Sequence, residues 1–268
     1  MKVDSGYADV NGTTLNFEVA GTGHPLVLIH GFGGNLKMWD DQFSQFALHY
    51  KVIRYDVRGF GKSAIPVEGE SYRHEEDLKA LLEHLDINKA SLIGQSMGGG
   101  IAIDFAIAYP ESTHSLVLVD SSLGGHRRSK DYNDLMTEMF SKGREEGPEA
   151  VLEILLSSAL LEAASEKPTV ISRFKRIMST YSGWHLVNED PQRVLPIPAI
   201  RQLDKIVFPT LIIVGERDMP HFHGIADVLE EGIPNSHKVT LEGVGHVSNM
   251  EDPESFNKEV LSFLESLR

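Results

Sequence analysis

Residues 91–98 read Ser91-Leu92-Ile93-Gly94-Gln95-Ser96-Met97-Gly98. An apolar strand pattern leads directly into Gly-x-Ser-x-Gly and a helical pattern follows at once, which is the sequence form of a nucleophile elbow. Gly94 and Gly98 leave room for a sharp turn, because side chains at these positions would crowd the approach of strand and helix. The segment therefore predicts that Ser96 is a nucleophile exposed at the turn, beside the positive N-terminal end of the helix.

A serine nucleophile also needs donors for the negative charge that develops on the attacked oxygen. The apolar run 26–29 is followed by His30-Gly31-Phe32-Gly33-Gly34. Glycines at the end of a strand let backbone amides turn inward toward such a charge. We assign the two oxyanion donors to the backbone amides of Phe32 and Met97, and we expect His30, at the rim of the strand, to shape the loop.

The acid and the base are predicted after two later strands. Asp218 follows the apolar run 209–214, and His246 follows the strand pattern at 238–241. The chain order Ser, Asp, His belongs to one of the three unrelated hydrolase arrangements. Because the carboxyl ends of parallel strands meet at one edge of a sheet, we predict a triad of Ser96, Asp218 and His246.

One further motif completes a resemblance. Residues 55–63 read Tyr-Asp-Val-Arg-Gly-Phe-Gly-Lys-Ser and match a D-x-R-G-x-G-x-S loop. With its four motifs in this order, the chain resembles the α/β-hydrolase fold superfamily over essentially its full length. The resemblance implies a mostly parallel central sheet with helices on both faces and an inserted helical cap. It also implies a serine hydrolase that forms a covalent acyl-enzyme and needs no cofactor.

Two alternative assignments involve Asp120 as the acid and the histidines that follow Asp218 as metal ligands. Asp120 also ends a strand, and some members of the superfamily take the acid from that position; Asp218, in Gly-Glu-Arg-Asp, has the commoner placement and is favoured. His221 and His223 lie close in sequence to Asp218, at the predicted start of a helix that leads away. Two histidines at i and i+2 do not share a helical face, so we expect no metal site.

The pattern along the chain predicts an interrupted core. A hairpin at 8–19 and parallel strands are followed, from Leu123 to about Arg201, by helix-like stretches punctuated by glycine and proline. We therefore predict an α/β core formed by residues 1–122 and 202–268, with residues 123–201 as a helical cap. The predicted parallel strands are 26–29, 52–55, 90–93, 116–119, 209–214 and 238–241.

Some apolar side chains of the cap are expected to face the cleft, where methionine and aromatic residues make an adaptable pocket. The candidate substrate-binding residues are Gly31, Leu123, Met139, Trp184 and Val247. Other apolar positions of the cap are available for a homodimer interface. The remaining apolar stripes of the predicted cap helices are interpreted as core packing.

The composition argues against several classes of binding surface and reactive site. The net charge of −14 argues against a nucleic-acid or anionic-membrane surface, and the absence of cysteine excludes disulfides, a thiol nucleophile and thiolate metal sites. The first residues lack an apolar signal segment, so a cytoplasmic location is expected. Hydrophobic residues make up 41% of the chain, which is enough for a sizeable core.

The substrate predicted from these features is a small, largely apolar ester, which makes the chain a carboxylesterase. A second interpretation is an enol-lactonase, because residues 245–251 are similar to the same region of the 3-oxoadipate enol-lactonases. The carbon–carbon bond hydrolases of aromatic degradation share the Ser-Met-Gly-Gly elbow, but they carry tryptophan where this chain has Val247 and proline where it has Gly34. A third interpretation, from a different class, is a receptor-like protein that binds a ligand with little turnover.

Overall fold

Continuous apolar runs form the centre of a single sheet. The computed structural model describes residues 2–267, and the central strands are buried along most of their length, as expected for parallel strands covered on both faces. The strands are β1 (Val3–Val10), β2 (Thr13–Ala20), β3 (Pro25–Ile29), β4 (Lys51–Tyr55), β5 (Ala90–Gln95), β6 (Thr113–Val119), β7 (Thr210–Gly215) and β8 (Ser236–Leu241).

The strand order is β1-β2-β4-β3-β5-β6-β7-β8. Strand β2 pairs antiparallel with both β1 and β4, and every other neighbouring pair is parallel. The β1–β2 hairpin closes through Asn11 and Gly12, whose positive φ angles of 47° and 68° suit a tight two-residue turn. The predicted α/β-hydrolase architecture, with a mostly parallel eight-stranded sheet, is therefore confirmed.

The helices fill the connections between the strands. Helix α3 follows β5 directly and has buried residues on nearly all sides, because its sequence is apolar almost all round. The helices are α1 (Asp40–Phe46), α2 (His74–His84), α3 (Met97–Ala108), α4 (Lys130–Glu146), α5 (Pro148–Ser157), α6 (Glu162–Ser165), α7 (Pro168–Met178), α8 (Trp184–Val187), α9 (Pro220–Gly232), α10 (Ser248–Glu251) and α11 (Pro253–Glu265), with 3-10 turns at Leu36–Trp39, Pro110–Ser112, Ala159–Leu161, Ala199–Arg201 and Leu203–Lys205.

Helices α4 to α8 all lie between β6 and β7. Residues 120–209, all of which the structure describes, contain no strand. Side chains tie this inserted segment to the core: the Asn35 amide donates to the Thr180 hydroxyl at 2.9 Å, and Arg173 pairs with Asp41. The segment is therefore packed against the sheet edge at which the predicted site residues lie.

No helix within residues 2–267 combines the length and the apolar character that crossing a lipid bilayer requires.

Candidate active site

Ser96 occupies a strained turn between β5 and α3. Its backbone φ of 51° and ψ of −113° lie in a region that non-glycine residues rarely adopt. A Cβ atom at Gly94 would overlap the carbonyl oxygen of Gly98, and one at Gly98 would overlap the carbonyl oxygen of Ile29. Both glycines are therefore required by close backbone approach. Such strain costs about 1–3 kcal/mol and is typical of functional sites.

A chain of hydrogen-bond contacts joins the three residues predicted as a triad. The Nε2 atom of His246 lies 3.0 Å from Oγ of Ser96, and its Nδ1 atom lies 2.9 Å from Oδ2 of Asp218. The other oxygen of Asp218 accepts the backbone N–H of Met219 at 2.6 Å. If Nδ1 carries the proton that binds Asp218, Nε2 is left as the acceptor for the serine hydroxyl.

The surrounding carboxylates decide the proton affinity of the imidazole. Burial alone would lower the pKa of His246, but Asp218 and Asp120 raise it above its ordinary value of 6.5. Asp120 is fully enclosed, and burial, reinforced by Asp218, raises its own pKa well above 3.8. The imidazole is therefore stabilised in its protonated form, as a general base must be once it has taken a proton.

Asp120, the alternative acid, has other partners. Its carboxylate accepts the backbone N–H of Gly215 at 2.9 Å and the hydroxyl of Ser248 at 2.7 Å. Within residues 2–267 no hydrogen bond joins Asp120 to His246. The geometry thus places Asp218, and not Asp120, against the imidazole.

The peptide groups around His246 are held by two side chains that the sequence did not predict. The Glu251 carboxylate accepts the backbone N–H groups of Gly245 and Val247 at 2.9 and 3.2 Å. The Gln95 amide donates to the carbonyl oxygen of His246 at 2.7 Å. Both side chains are buried, so the backbone on each side of the imidazole is fixed. No local pattern marks Glu251, and Gln95 is an unspecified position of the elbow motif.

The two predicted oxyanion donors lie on different segments: Phe32 is in the loop after β3, and Met97 is the first residue of α3. The backbone N–H of Gly34 donates to the Gly31 carbonyl at 3.1 Å, which makes a tight turn around Phe32. In the part of the chain that the structure describes, the amides of Phe32 and Met97 donate to no backbone acceptor outside regular helix and strand bonding. They are therefore available to a ligand.

His30 lies at the base of this loop. Its Nδ1 atom lies 2.8 Å from the Gly31 carbonyl oxygen, and its Nε2 atom accepts the Val57 backbone N–H at 3.0 Å. Burial lowers the pKa of His30, so the ring is neutral and its two nitrogens act as one donor and one acceptor. These contacts give His30 a part in holding the loop.

A small apolar cavity of about 70 Å³ lies beside Ser96 and His246. Of the predicted substrate-binding residues, Met139 and Val247 line it. The other lining side chains are mostly apolar and come largely from the inserted segment; they include Met38, Tyr132, Met136, Leu155, Leu161 and Phe174.

Three predicted binding residues do not line this cavity. Trp184 begins the short helix α8, which buries His185 and Leu186 instead, and its ring contacts His185 edge-on with centroids 5.1 Å apart. Leu123 is buried in the apolar core just after β6. At Gly31 an added Cβ would overlap the Gln95 side chain and lie 3.3 Å from the Cβ of Ser96.

The histidines after Asp218 have different surroundings. His221 stacks on Tyr132 with ring centroids 4.3 Å apart, and its Nδ1 atom accepts the Ser129 backbone N–H at 3.3 Å. His223 is near the surface, with Nε2 3.2 Å from the Glu216 carbonyl oxygen. Across residues 2–267, no group of three or more histidine or carboxylate side chains is arranged to hold a metal ion.

Comparison with known proteins places this architecture in a family. Residues 24–253 match the model of the alpha/beta hydrolase fold, and the chain belongs to that family. It is 30% identical to the dihydrolipoyllysine-residue acetyltransferase component of an acetoin cleaving system from Pseudomonas putida, over 96% of this chain and 68% of that protein. It is 29% identical to 3-oxoadipate enol-lactonase 2 of Acinetobacter baylyi, over 88% of this chain and 86% of that protein.

Among solved structures, a thermophilic esterase from Thermogutta terrifontis, determined with malate bound, superposes with a TM-score of 0.84 at 26% identity. The match covers 98% of this chain and 99% of that one. Together, the family and these likenesses support a hydrolase.

Proposed function

We propose that the protein is a serine esterase that cleaves carboxylic esters of small, largely apolar substrates. The observation that carries the proposal is the unbroken chain of contacts from Asp218 through His246 to Ser96, next to an apolar cavity. The likeness to the Thermogutta terrifontis esterase supports the same reaction class. The substrate is an ester or lactone, and the proposal requires no metal or cofactor.

In the proposed mechanism, Ser96 attacks the ester carbonyl while Nε2 of His246 takes the hydroxyl proton. Asp218 orients the imidazole and stabilises its positive charge. The amides of Phe32 and Met97 stabilise the tetrahedral oxyanion, and losing one such donor typically costs about 3–4 kcal/mol. His246 then protonates the leaving alkoxide and activates a water molecule that hydrolyses the acyl-enzyme.

A lactone is the second candidate substrate, because the Acinetobacter baylyi relative is an enol-lactonase. An open-chain ester and a lactone present the same carbonyl to Ser96 and differ only in whether the leaving alkoxide stays attached. A ligand-binding role with little turnover is less well supported, because the contacts of Ser96, His246 and Asp218 are intact.

We further propose that residues 123–201 act as a cap, since side chains from this segment form much of the cavity wall. A cytoplasmic location and a homodimer formed through the cap remain part of the proposal.

The test is hydrolysis of p-nitrophenyl esters of graded acyl length by the wild type and by Ser96→Ala. The variant should lose roughly 10⁴-fold or more in kcat/KM while its melting temperature stays near that of the wild type. Ser262→Ala, at an exposed position of α11, is the matched control and should behave as wild type. Turnover retained by Ser96→Ala would refute the proposed nucleophile.

A further inference from the structure

A second cavity, of about 360 Å³, is lined by Phe32 and Met97, the two residues whose amides are the proposed oxyanion donors. Phe32 lines both cavities, so the two are adjacent at this residue, and Met97 lines only the second. Unlike the first cavity, the second has many polar residues in its wall: His74, Arg144, His185, Asn188, Asp190 and Gln192. Neither Ser96 nor His246 lines it.

Two buried imidazoles in this wall have unused nitrogens. The His185 side chain is only 7% exposed, and within the described chain its Nε2 atom has no hydrogen-bond partner. The nearest carboxylate oxygen, on Asp190, is 3.8 Å away, which is too far for a hydrogen bond. His74 is 4% exposed, and its Nδ1 atom likewise has no partner among residues 2–267. A buried polar atom without a partner lowers the stability of the fold, so a ligand group that hydrogen-bonds to these nitrogens would bind favourably.

The surrounding contacts keep the side chains of the wall from hydrogen-bonding to these two free nitrogens. Asp190 is held in place because it accepts the Tyr72 hydroxyl at 3.0 Å and the Gln192 backbone N–H at 3.1 Å. The His185 ring is fixed from two sides: it stacks on Phe60 with centroids 4.6 Å apart, and its Nδ1 atom lies 3.2 Å from the Tyr181 hydroxyl. The free Nε2 atom of His185 is therefore fixed in position.

The charges of the wall select a neutral ligand group. Burial lowers the pKa of His74 to about 3, and burial also lowers the pKa of His185 although Asp190 opposes the shift. Both imidazoles are thus neutral at pH 7, so each free nitrogen, Nε2 of His185 and Nδ1 of His74, is a donor or an acceptor according to the tautomer of its ring. Arg144 and Asp190 contribute one charge of each sign, so neither an anion nor a cation is favoured overall. A carboxamide, which has both a donor and an acceptor, fits this set.

The position of His246 indicates which half of the substrate enters the second cavity. His246 must protonate the leaving oxygen, so the alcohol half lies in the cavity that His246 lines. The acyl half then extends past Phe32, along the Met97 side chain and toward the polar wall. We propose that the preferred substrates carry a neutral amide on the acyl chain, bound in this second cavity by His185 and its neighbours. This inference rests on the proposed esterase function.

The test uses p-nitrophenyl esters that share the leaving group and differ in the acyl chain. The 3-acetamidopropionate and 4-acetamidobutyrate esters are compared with their apolar isosteres, the 5-methylhexanoate and 6-methylheptanoate esters. The variant His185→Phe keeps a ring that can stack on Phe60 but removes the hydrogen-bonding nitrogens. Asn188→Leu, at an exposed position of the same wall, is a second variant that does not disturb a buried ring. His237→Phe, at an exposed position of β8, is the matched control.

We expect the wild type to have a higher kcat/KM for the amide ester of at least one length than for its isostere. His185→Phe should reduce that ratio by about three- to tenfold, the usual effect of one hydrogen bond between neutral groups, and Asn188→Leu should reduce it less. His237→Phe should leave the ratio unchanged.

Equal kcat/KM values for the amide and apolar esters at both lengths would overturn the inference, as would an amide preference that His185→Phe leaves intact. In both cases the esterase function would stand, because Ser96-dependent turnover is measured in the same assay. Absence of Ser96-dependent turnover of all four esters would instead refute the proposed function, and the inference with it.

Discussion

Replacement of Glu251 by glutamine tests whether its hydrogen bonds to the backbone, and not only the contacts of the proposed triad, position the His246 imidazole. In the wild type, the buried carboxylate accepts the N–H groups of Gly245 and Val247, on either side of His246. Glutamine keeps one acceptor oxygen but turns an NH₂ group toward the other amide. One charge-assisted hydrogen bond, about 1.5–3 kcal/mol, is lost, and one buried amide is left unpaired at about 1–3 kcal/mol.

Part of this cost is offset, because burial raises the pKa of Glu251 and the neutral glutamine avoids burying a charge. We therefore expect a loss of roughly 3 kcal/mol in unfolding free energy. For a chain of this size, about 3 °C per kcal/mol gives a melting temperature lower by roughly 9 °C. Because a displacement of about 1 Å can cost roughly 10²-fold in rate, kcat/KM should fall by about that factor.

The measurements are calorimetric or fluorescence-monitored unfolding and p-nitrophenyl ester hydrolysis below the melting temperature of the variant. Glu254→Gln, at an exposed position three residues away, is the control and should match the wild type in both. If Glu251→Gln unfolds within about 0.5 kcal/mol of the wild type and keeps kcat/KM within about twofold, these hydrogen bonds are not needed and the reasoning is refuted.

Three further results are expected. Gly98→Ala should be severely destabilised because its Cβ would overlap the backbone, whereas Gly224→Ala, in open space on α9, should gain up to about 1 kcal/mol of unfolding free energy. Thermal unfolding of both variants tests this, and a Gly98→Ala variant that melts like the wild type would contradict it. The kcat/KM should fall as the pH drops through the raised pKa of His246, and Asp120→Asn should shift this fall to lower pH because the variant lacks a carboxylate that raises the pKa. A pH–rate profile in which the fall stays at the same pH would contradict the electrostatic argument. Burial raises the pKa of Asp104 from 3.8 to about 7, so its ionisation disfavours the fold increasingly from pH 4 upward and fully above pH 7. Asp104→Asn should therefore raise the melting temperature at pH 8 more than at pH 4, and an equal rise at the two pH values would contradict the destabilising role of the Asp104 charge.

Much of the fold was predictable because burial on both faces of a parallel sheet produces unbroken apolar runs. The runs at 26–29 and 90–93 lie in β3 and β5, and the change from strand to helix patterns coincides with the segment between β6 and β7. Boundaries were less accurate: β6 begins at Thr113, three residues before the predicted start at Leu116. The start of β6 is set by its pairing with β5, where Thr113 lies opposite Ala90, and a local pattern does not contain this contact.

The site residues likewise include some that the sequence predicts and some that it does not. Ser96 is predictable because its turn imposes glycine at fixed neighbouring positions. Gln95 and Glu251 were not, because their contacts with the backbone around His246 exist only once separate strands meet at one edge; Gln95 lies 151 positions away from the group it binds. Trp184 was chosen for its size and residue type, but it does not line the apolar cavity, and its ring contacts His185 instead. Orientation of a short helix is set by tertiary packing and leaves little trace in composition.

The inserted segment leaves and re-enters the sheet between two adjacent strands, β6 and β7, and this makes reaction and selectivity separable in the gene. Every residue of the proposed triad lies outside residues 120–209, while much of the wall of the cavity beside Ser96 is encoded inside them. Under the proposed function, new specificities are accessible by exchanging one continuous stretch of coding sequence. An exchange should preserve Lys167, whose ammonium donates to the Glu251 carbonyl at 3.1 Å, since this bond joins the inserted segment to α10, the helix that follows His246.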